Sequence, residues 1–218
     1  MERLILVVLG KQGAGKGTQC ERLSALYGLP HVSTGDILRA AVRARSPLGL
    51  EVAAVLEAGA LVSDELVNRL VADRLAQPDA APGVLLDGYP RTRGQAEALE
   101  EIVAPDAVSA CLDLAIDVEV ATARLAARRV CTSCGAIYRV GDPEAHSGVC
   151  SVCGGAVVQR ADDRPEAIAE RLAAYERDTA PLLDYYRERG VLAHVDGSAG
   201  LDEVTAALRA AIDARVAR

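Results

Sequence analysis

The chain has 218 residues, half of them apolar, a formal net charge of −7, and neither Phe nor Trp. That acidic balance excludes a general nucleic-acid binder, which needs a basic surface to displace counterions from phosphates. No run approaches the ~20 consecutive apolar residues that span a bilayer, and the N-terminal apolar run is too short for a signal peptide, so a cytoplasmic protein built on Leu, Val, Ile and Ala is expected.

The apolar run over residues 4–9 predicts a buried strand. Gly10, Lys11, Gln12, Gly13, Ala14, Gly15, Lys16, Gly17 and Thr18 follow it, and then helical periodicity through Cys20, Leu23 and Leu26 that Gly28, Leu29 and Pro30 end. A strand, a glycine-rich turn and a new helix in that order cradle phosphate. Glycines let successive N–H groups point inward, the helix turns its positive end to the same spot, and Lys16 adds a mobile charge. Gly17 stands where the G-x-x-x-x-G-K-[ST] pattern has a hydroxyl, with Thr18 one residue late, so direct Mg²⁺ ligation by the loop is not expected. The alternative is a bare glycine turn.

Ser33, Thr34, Gly35 and Asp36 precede a short helix from Ile37 to Val42, with Thr34 or Asp36 placed to cap it. Pro47, Leu48 and Gly49 break the pattern, a second short helix runs to about Ala58, Gly59 stops it, and Ser63 with Asp64 and Glu65 marks the start of a longer helix through Leu66, Leu70 and Leu75. Residues 33–62 therefore form a helical insertion. The run 83–88 predicts a buried parallel strand that delivers Asp87 to the edge where open α/β sheets bind ligands. A carboxylate there holds magnesium through its water shell, the alternative being a turn or cap aspartate. Further strands are expected at 110–114 and 191–195. Strands alternating with helices imply parallel βαβ units with helices on both faces.

Among six cysteines, Cys131, Cys134, Cys150 and Cys153 form two C-x-x-C pairs separated by fifteen residues, the spacing of a tetrahedral zinc site. Gly135 follows the first pair and Gly154 with Gly155 the second, which suits two tight knuckles. Two disulfides are the alternative, disfavoured in a reducing compartment; thiolate tetrads also accept iron. Four protein ligands leave no open position, so this metal would be structural. Cys20 and Cys111 read as small core residues, and His31, His146 and His194 as incidental, His146 being a weaker alternative ligand. Arg128, Arg129 and Arg160 bracket the cysteines, so a zinc-stapled flap could close positive charge over bound phosphates.

Together these residues resemble adenylate kinase, in the bacterial long form with a zinc-bearing lid. The resemblance covers essentially the whole chain and rests on the loop from Gly10 to Thr18, on Ser33, Thr34, Gly35 and Asp36 with Arg39, on Leu61 and Val62, and on Asp87, Gly88, Tyr89, Pro90, Arg91 and Thr92 with Gln95. Arg124, Arg128, Arg129, the four cysteines, Arg160, Asp162, Asp163 and Arg171 complete it. It implies an α/β fold with a P-loop NTPase-like parallel sheet core (1–32, 63–128 and 162–218), a nucleoside-monophosphate-binding insertion (33–62) and a zinc-binding lid (129–161). It also implies reversible phosphoryl transfer from MgATP to AMP, giving two ADP.

Carried over residue by residue, the resemblance implies that Gly13, Ala14, Gly15, Lys16, Gly17 and Thr18 wrap the ATP phosphates, that Arg124 and Arg128 reach them from the lid hinge, and that Ile137, Tyr138 and Ala199 lie by the ATP base. Thr34, Arg39, Ala60, Leu61, Val62, Gly88, Tyr89, Pro90, Arg91 and Gln95 match the AMP pocket. There Arg39 and Arg91 would fork the α-phosphate and Gln95 would read adenine. Arg160 and Arg171 would bridge acceptor and donor phosphates. Lys16, Arg91, Arg128, Arg160, Arg171 and Asp87 thus form the expected catalytic set, with ATP, Mg²⁺ and a structural zinc as cofactors, nucleotides as the sole partners, and a monomeric chain. Lys11 and Gln12 depart from the small residue and proline common in the family, and Ala199 from a longer side chain. The rival readings are a kinase for UMP, CMP or GMP, which Thr34 and Gln95 disfavour, and a zinc-ribbon nucleic-acid module, which lacks its basic, aromatic surface here.

Overall fold

A computed structural model describes residues 3–216; residues 1–2 and 217–218, the outer ends of the predicted core segments, lie outside the described residues. In chain order the elements are β1 (Leu4–Leu9), α1 (Lys16–Tyr27), β2 (His31–Ser33), α2 (Thr34–Arg43), α3 (Pro47–Glu57), α4 (Asp64–Leu75), β3 (Gly83–Asp87), α5 (Arg93–Val103), β4 (Val108–Ala115) and α6 (Val118–Ala127). There follow β5 (Arg128–Cys131), β6 (Ile137–Arg139), α7 (Pro143–Ser147), β7 (Val157–Val158), α8 (Pro165–Ala174), α9 (Pro181–Glu188), β8 (Leu192–Asp196) and α10 (Leu201–Val216).

Five parallel strands form one sheet in the order β2-β3-β1-β4-β8. Side-chain alternation along β1 divides the interior in two. Leu6 and Val8 pack with Cys20, Leu23 and Leu208 on the α1/α10 face, while Ile5, Val7 and Leu9 pack with Val71, Leu99 and Tyr186 on the α4/α5/α9 face. With both faces covered, the strands read as unbroken apolar runs, which is why β1 and β3 were legible. The expected parallel sheet flanked by helices is the one observed.

The differences in detail have local causes. β2 was not expected, because three residues are too few to show a period. β4 extends two residues earlier and one later than 110–114, and β8 runs one residue later than 191–195. Neither Thr34 nor Asp36 caps α2; the Ser33 side chain does, accepting from the Asp36 N–H at 3.3 Å. Ser63 occupies the cap position of α4 without a side-chain hydrogen bond to the helix. Pro47, Leu48 and Gly49 are not a break but the first turn of α3, with proline in the N-terminal position that tolerates it. Gly49 is needed there, since a Cβ would lie 2.1 Å from the Ala41 carbonyl oxygen of α2.

A second, antiparallel sheet in the order β6-β5-β7 carries the cysteines. Its apolar interior consists of Cys131, Tyr138, Cys150 and Val157 with Ala136 against them, too little to fold without a further staple.

Candidate active site

Chain direction places the site. All strands of the large sheet are parallel, so β1 ends at the glycine loop while its neighbour β3 ends at Asp87, and β2 ends alongside at Ser33. These ends form one edge, where a cavity of about 540 Å³ opens between the large sheet and the small one.

The loop's conformation depends on its glycines. Gly10, at φ 137°, passes so close to β4 that a Cβ would meet the Leu114 carbonyl oxygen at 2.4 Å. Gly15, at φ 94°, starts α1 in the left-handed region with no side chain capping the helix, which leaves the first N–H groups of α1 directed at the cavity. The Lys16 ammonium donates to the carbonyls of Gly10 (2.6 Å) and Lys11 (2.9 Å). Burial pulls its pKa down to about 8, with Asp87 opposing and Arg91 and Arg171 reinforcing the shift.

Around Lys16 the cavity wall carries Arg39, Arg91, Arg124, Arg128, Arg160 and Arg171. Burial lowers Arg91 and Arg160 to about 10 and lowers Arg171 as well. Neighbouring guanidinium groups repel in every case: Arg171 and Arg39 at Arg91, Arg39 and Arg128 at Arg160, and Arg128 and Arg39 at Arg171. So much desolvated positive charge in one place is the electrostatic counterpart of a polyanion.

Several guanidinium groups are held by the protein itself. Arg128 donates to both oxygens of the fully buried Asp163, at 2.6 and 2.8 Å, and Arg171 donates to the same carboxylate at 3.1 Å and to the Asp162 carbonyl at 2.9 Å. Arg91 donates to the Gly88 carbonyl at 2.7 Å, Arg39 to Asp36 at 2.6 Å and Arg124 to the Gly197 carbonyl at 3.1 Å.

Gly13, Gly15, Lys16, Gly17, Thr18, Asp87, Gly88, Pro90, Ile137 and Tyr138 also line the cavity. Ala14, Thr34, Ala60, Leu61, Val62, Tyr89, Gln95 and Ala199 are not part of this wall. Thr34 donates to the Gly88 carbonyl at 2.9 Å. Tyr89 is fully buried and donates to Asn68 at 2.8 Å. The Gln95 amide is engaged at both ends, accepting from the Arg91 N–H at 2.8 Å and donating to Asp64 at 2.7 Å.

Three residues at the site had no role in the sequence reading. Asp163 appeared there only within a motif, although an acid directly after a conspicuous Arg-x-Asp was the available signal. Asp64 read as a helix start, and it holds Gln95 and Thr92. His31, taken as incidental, lies on the cavity wall with its Nε2 3.3 Å from Asp87. Burial opposes protonation of the ring, yet the hydrogen bond and charge of Asp87 outweigh it and raise the pKa.

The four cysteines of the small sheet's region converge. Cys131 and Cys153 are 3.5 Å apart at sulfur, Cys134 and Cys150 are 3.6 Å apart, and all four sulfurs lie within 4.8 Å of one another. Disulfides are excluded at such separations, since bonded sulfurs sit about 2.05 Å apart. Tetrahedral thiolates at about 2.3 Å from a zinc ion are ~3.8 Å apart, which this set fits. Each pair closes on a matching turn, with Gly135 N–H donating to the Cys131 carbonyl (3.1 Å) and Gly154 N–H to the Cys150 carbonyl (2.9 Å). The Tyr138 hydroxyl, 3.1 Å from Cys150, helps hold that thiol down to about 6.

Residues 8–191 match the family described as adenylate kinase. The chain is 48% identical over 210 residues to an adenylate kinase of Trichlorobacter lovleyi, covering 95% of this chain and 98% of that protein. It is 44% identical over 207 residues to one of a Geobacillus species (94% and 96%) and 46% identical over 211 residues to one of Methanocella arvoryzae (94% and 97%).

Proposed function

This chain belongs to the adenylate kinase family, and on that premise we propose which of its side chains carry the reaction and how they do so. It is a nucleoside monophosphate kinase that converts ATP and AMP to two ADP.

The observation that carries the assignment is the convergence of Lys16 with Arg39, Arg91, Arg124, Arg128, Arg160 and Arg171 on one cavity, with burial and mutual repulsion lowering several of their pKa values. Phosphoryl transfer asks little covalent chemistry of a protein, so in-line positioning and charge stabilisation dominate. In our reading the loop from Gly13 to Thr18 binds the donor phosphates through N–H groups, and Lys16 leaves its two carbonyl partners to meet them. Arg124 and Arg128 reach the donor from the lid side, Arg39 and Arg91 hold the acceptor phosphate, and Arg160 and Arg171 span both. Magnesium arriving with ATP supplies further neutralisation, and Asp87 is the carboxylate placed to hold its water shell.

Thr34, Gly88, Tyr89, Pro90 and Gln95 with Ala60, Leu61 and Val62 make the AMP side, and Ile137, Tyr138 and Ala199 the ATP-base side. The division into core (1–32, 63–128, 162–218), AMP-binding insertion (33–62) and lid (129–161) follows from this. The small sheet closes over the nucleotides and excludes water that would otherwise compete as acceptor. Cys131, Cys134, Cys150 and Cys153 hold a structural zinc. We place the protein in the cytoplasm, where reduced thiols persist, and as a monomer. No described helix is long and apolar enough to cross a membrane.

The test is to mix the purified protein with MgATP and, separately, AMP, UMP, CMP or GMP, and to measure ADP. AMP should be turned over fastest; preference for another monophosphate would overturn the AMP assignment.

A further inference from the structure

The sheet register brings together three side chains that chain order keeps apart. His31 opens β2 opposite Leu85 of β3, and Asp87 lies two residues beyond Leu85, so the imidazole and the carboxylate emerge on the same face of the sheet. α1 covers that face and places Cys20 one turn after Lys16. The Cys20 sulfur, a ring nitrogen of His31 and an Asp87 oxygen all lie within 4.8 Å of one another, with His31 Nε2 3.3 Å from Asp87 Oδ2.

One thiol, one imidazole and one carboxylate form a donor set for a borderline or soft divalent cation rather than for magnesium, which demands oxygen ligands in octahedral array. Donors bound at about 2.0–2.3 Å around a tetrahedral ion sit ~3.3–3.8 Å apart, so small side-chain rotations close this set. Charge also balances: a Cys20 thiolate and the Asp87 carboxylate neutralise a divalent ion while the imidazole stays neutral, and the thiol proton leaves to solvent. Glu21 and Asp36, both on the cavity wall, add attraction, and Lys16 opposes it. His31 and Asp87 face the cavity whereas Cys20 lies fully buried behind them, so the fourth position opens toward the nucleotides.

We propose that Cys20, His31 and Asp87 form a second, labile site for a thiophilic divalent cation such as Zn²⁺, separate from the four-cysteine cluster, and that occupancy inhibits the enzyme by withdrawing Asp87 from MgATP. The inhibitory half rests on the role given above to Asp87; the binding half does not.

The test uses whole protein already replete in lid zinc. Calorimetric titration with Zn²⁺, without nucleotide or Mg²⁺, should reveal one further equivalent. Cys20→Ala and His31→Asn should each weaken it about tenfold or more, at least what loss of a supporting partner costs. Cys20→Ser keeps the side-chain size should the alanine variant misfold. In parallel, Zn²⁺ should inhibit turnover, Mg²⁺ should compete with it, and Cys20→Ala should remain active yet resist inhibition. Absence of a further equivalent, or one indifferent to both substitutions, overturns the site. Binding that depends on Cys20 and His31 without inhibition overturns the role of Asp87 and leaves the site standing.

Discussion

Asp163 has no exposed surface and grips the Arg128 guanidinium with both carboxylate oxygens, while Arg171 reaches the same group at 3.1 Å. One buried acid thus sets the geometry of two arginines on the cavity wall. Removing one partner of a buried pair leaves charge uncompensated and costs about 3–5 kcal/mol. Asp163→Ala should therefore lower the melting temperature sharply, and Asp163→Asn should raise KM for both nucleotides more than it lowers stability. Wild-type melting and wild-type KM values in both variants would show the carboxylate to be dispensable.

Lys16 and Arg91 are assigned to charge that develops during transfer. Lys16→Met or Arg91→Ala should cut kcat by about 10²–10³-fold, the effect of losing one preorganised donor, while far-ultraviolet circular dichroism stays native. Near-normal kinetics would contradict the roles.

The depressed pKa of Lys16 has a sign that can be worked out. Its folded value of about 8 lies below the ordinary 10.5, so between the two the unfolded chain holds more protons and stability rises with pH. Below pH 8 the full cost of burying the charged amine is present. Phosphate restores the charge, so ATP binding slightly above pH 8 should take up a proton and weaken as pH climbs. Calorimetry in two buffers of different ionisation enthalpy measures that uptake, which should disappear in Lys16→Met. Equal apparent enthalpies for the wild-type protein would refute the linkage.

The lid has little apolar interior, so its order should depend on metal. Replacing Cys150 and Cys153 together by serine should lower metal content and melting temperature more than activity at moderate temperature. An unchanged melting curve would count against structural zinc.

Asp64 holds the Gln95 amide at 2.7 Å. Releasing it with Asp64→Ala should raise KM for AMP several-fold with a smaller change in kcat, and narrow the preference over other monophosphates, because a base-reading amide discriminates only while its orientation is fixed. Unaltered selectivity would detach Asp64 from recognition.

Much of this molecule was written locally. The run at 4–9, the glycines and Lys16 specify strand, turn and helix through backbone sterics and burial, and each C-x-x-C pair specifies a tight knuckle through short-range turn geometry. The turn at residues 10–18 and each C-x-x-C knuckle are set by neighbours within a few positions, whereas the meeting of the two knuckles spans 16 to 22 positions. The parallel sheet was legible for the same reason, because strands covered on both faces leave uninterrupted apolar runs.

Register and chain crossing decided the rest. Asp163 meets Arg128 across thirty-five positions, Asp64 meets Gln95 across thirty-one, and His31 meets Asp87 across fifty-six. None of these pairs leaves a periodic trace, since each joins elements that are far apart in the chain and adjacent only in the fold. A histidine two residues out of step with an aspartate becomes its neighbour only when β2 lies beside β3 in that register, and a one-residue slip would turn the ring to the opposite face.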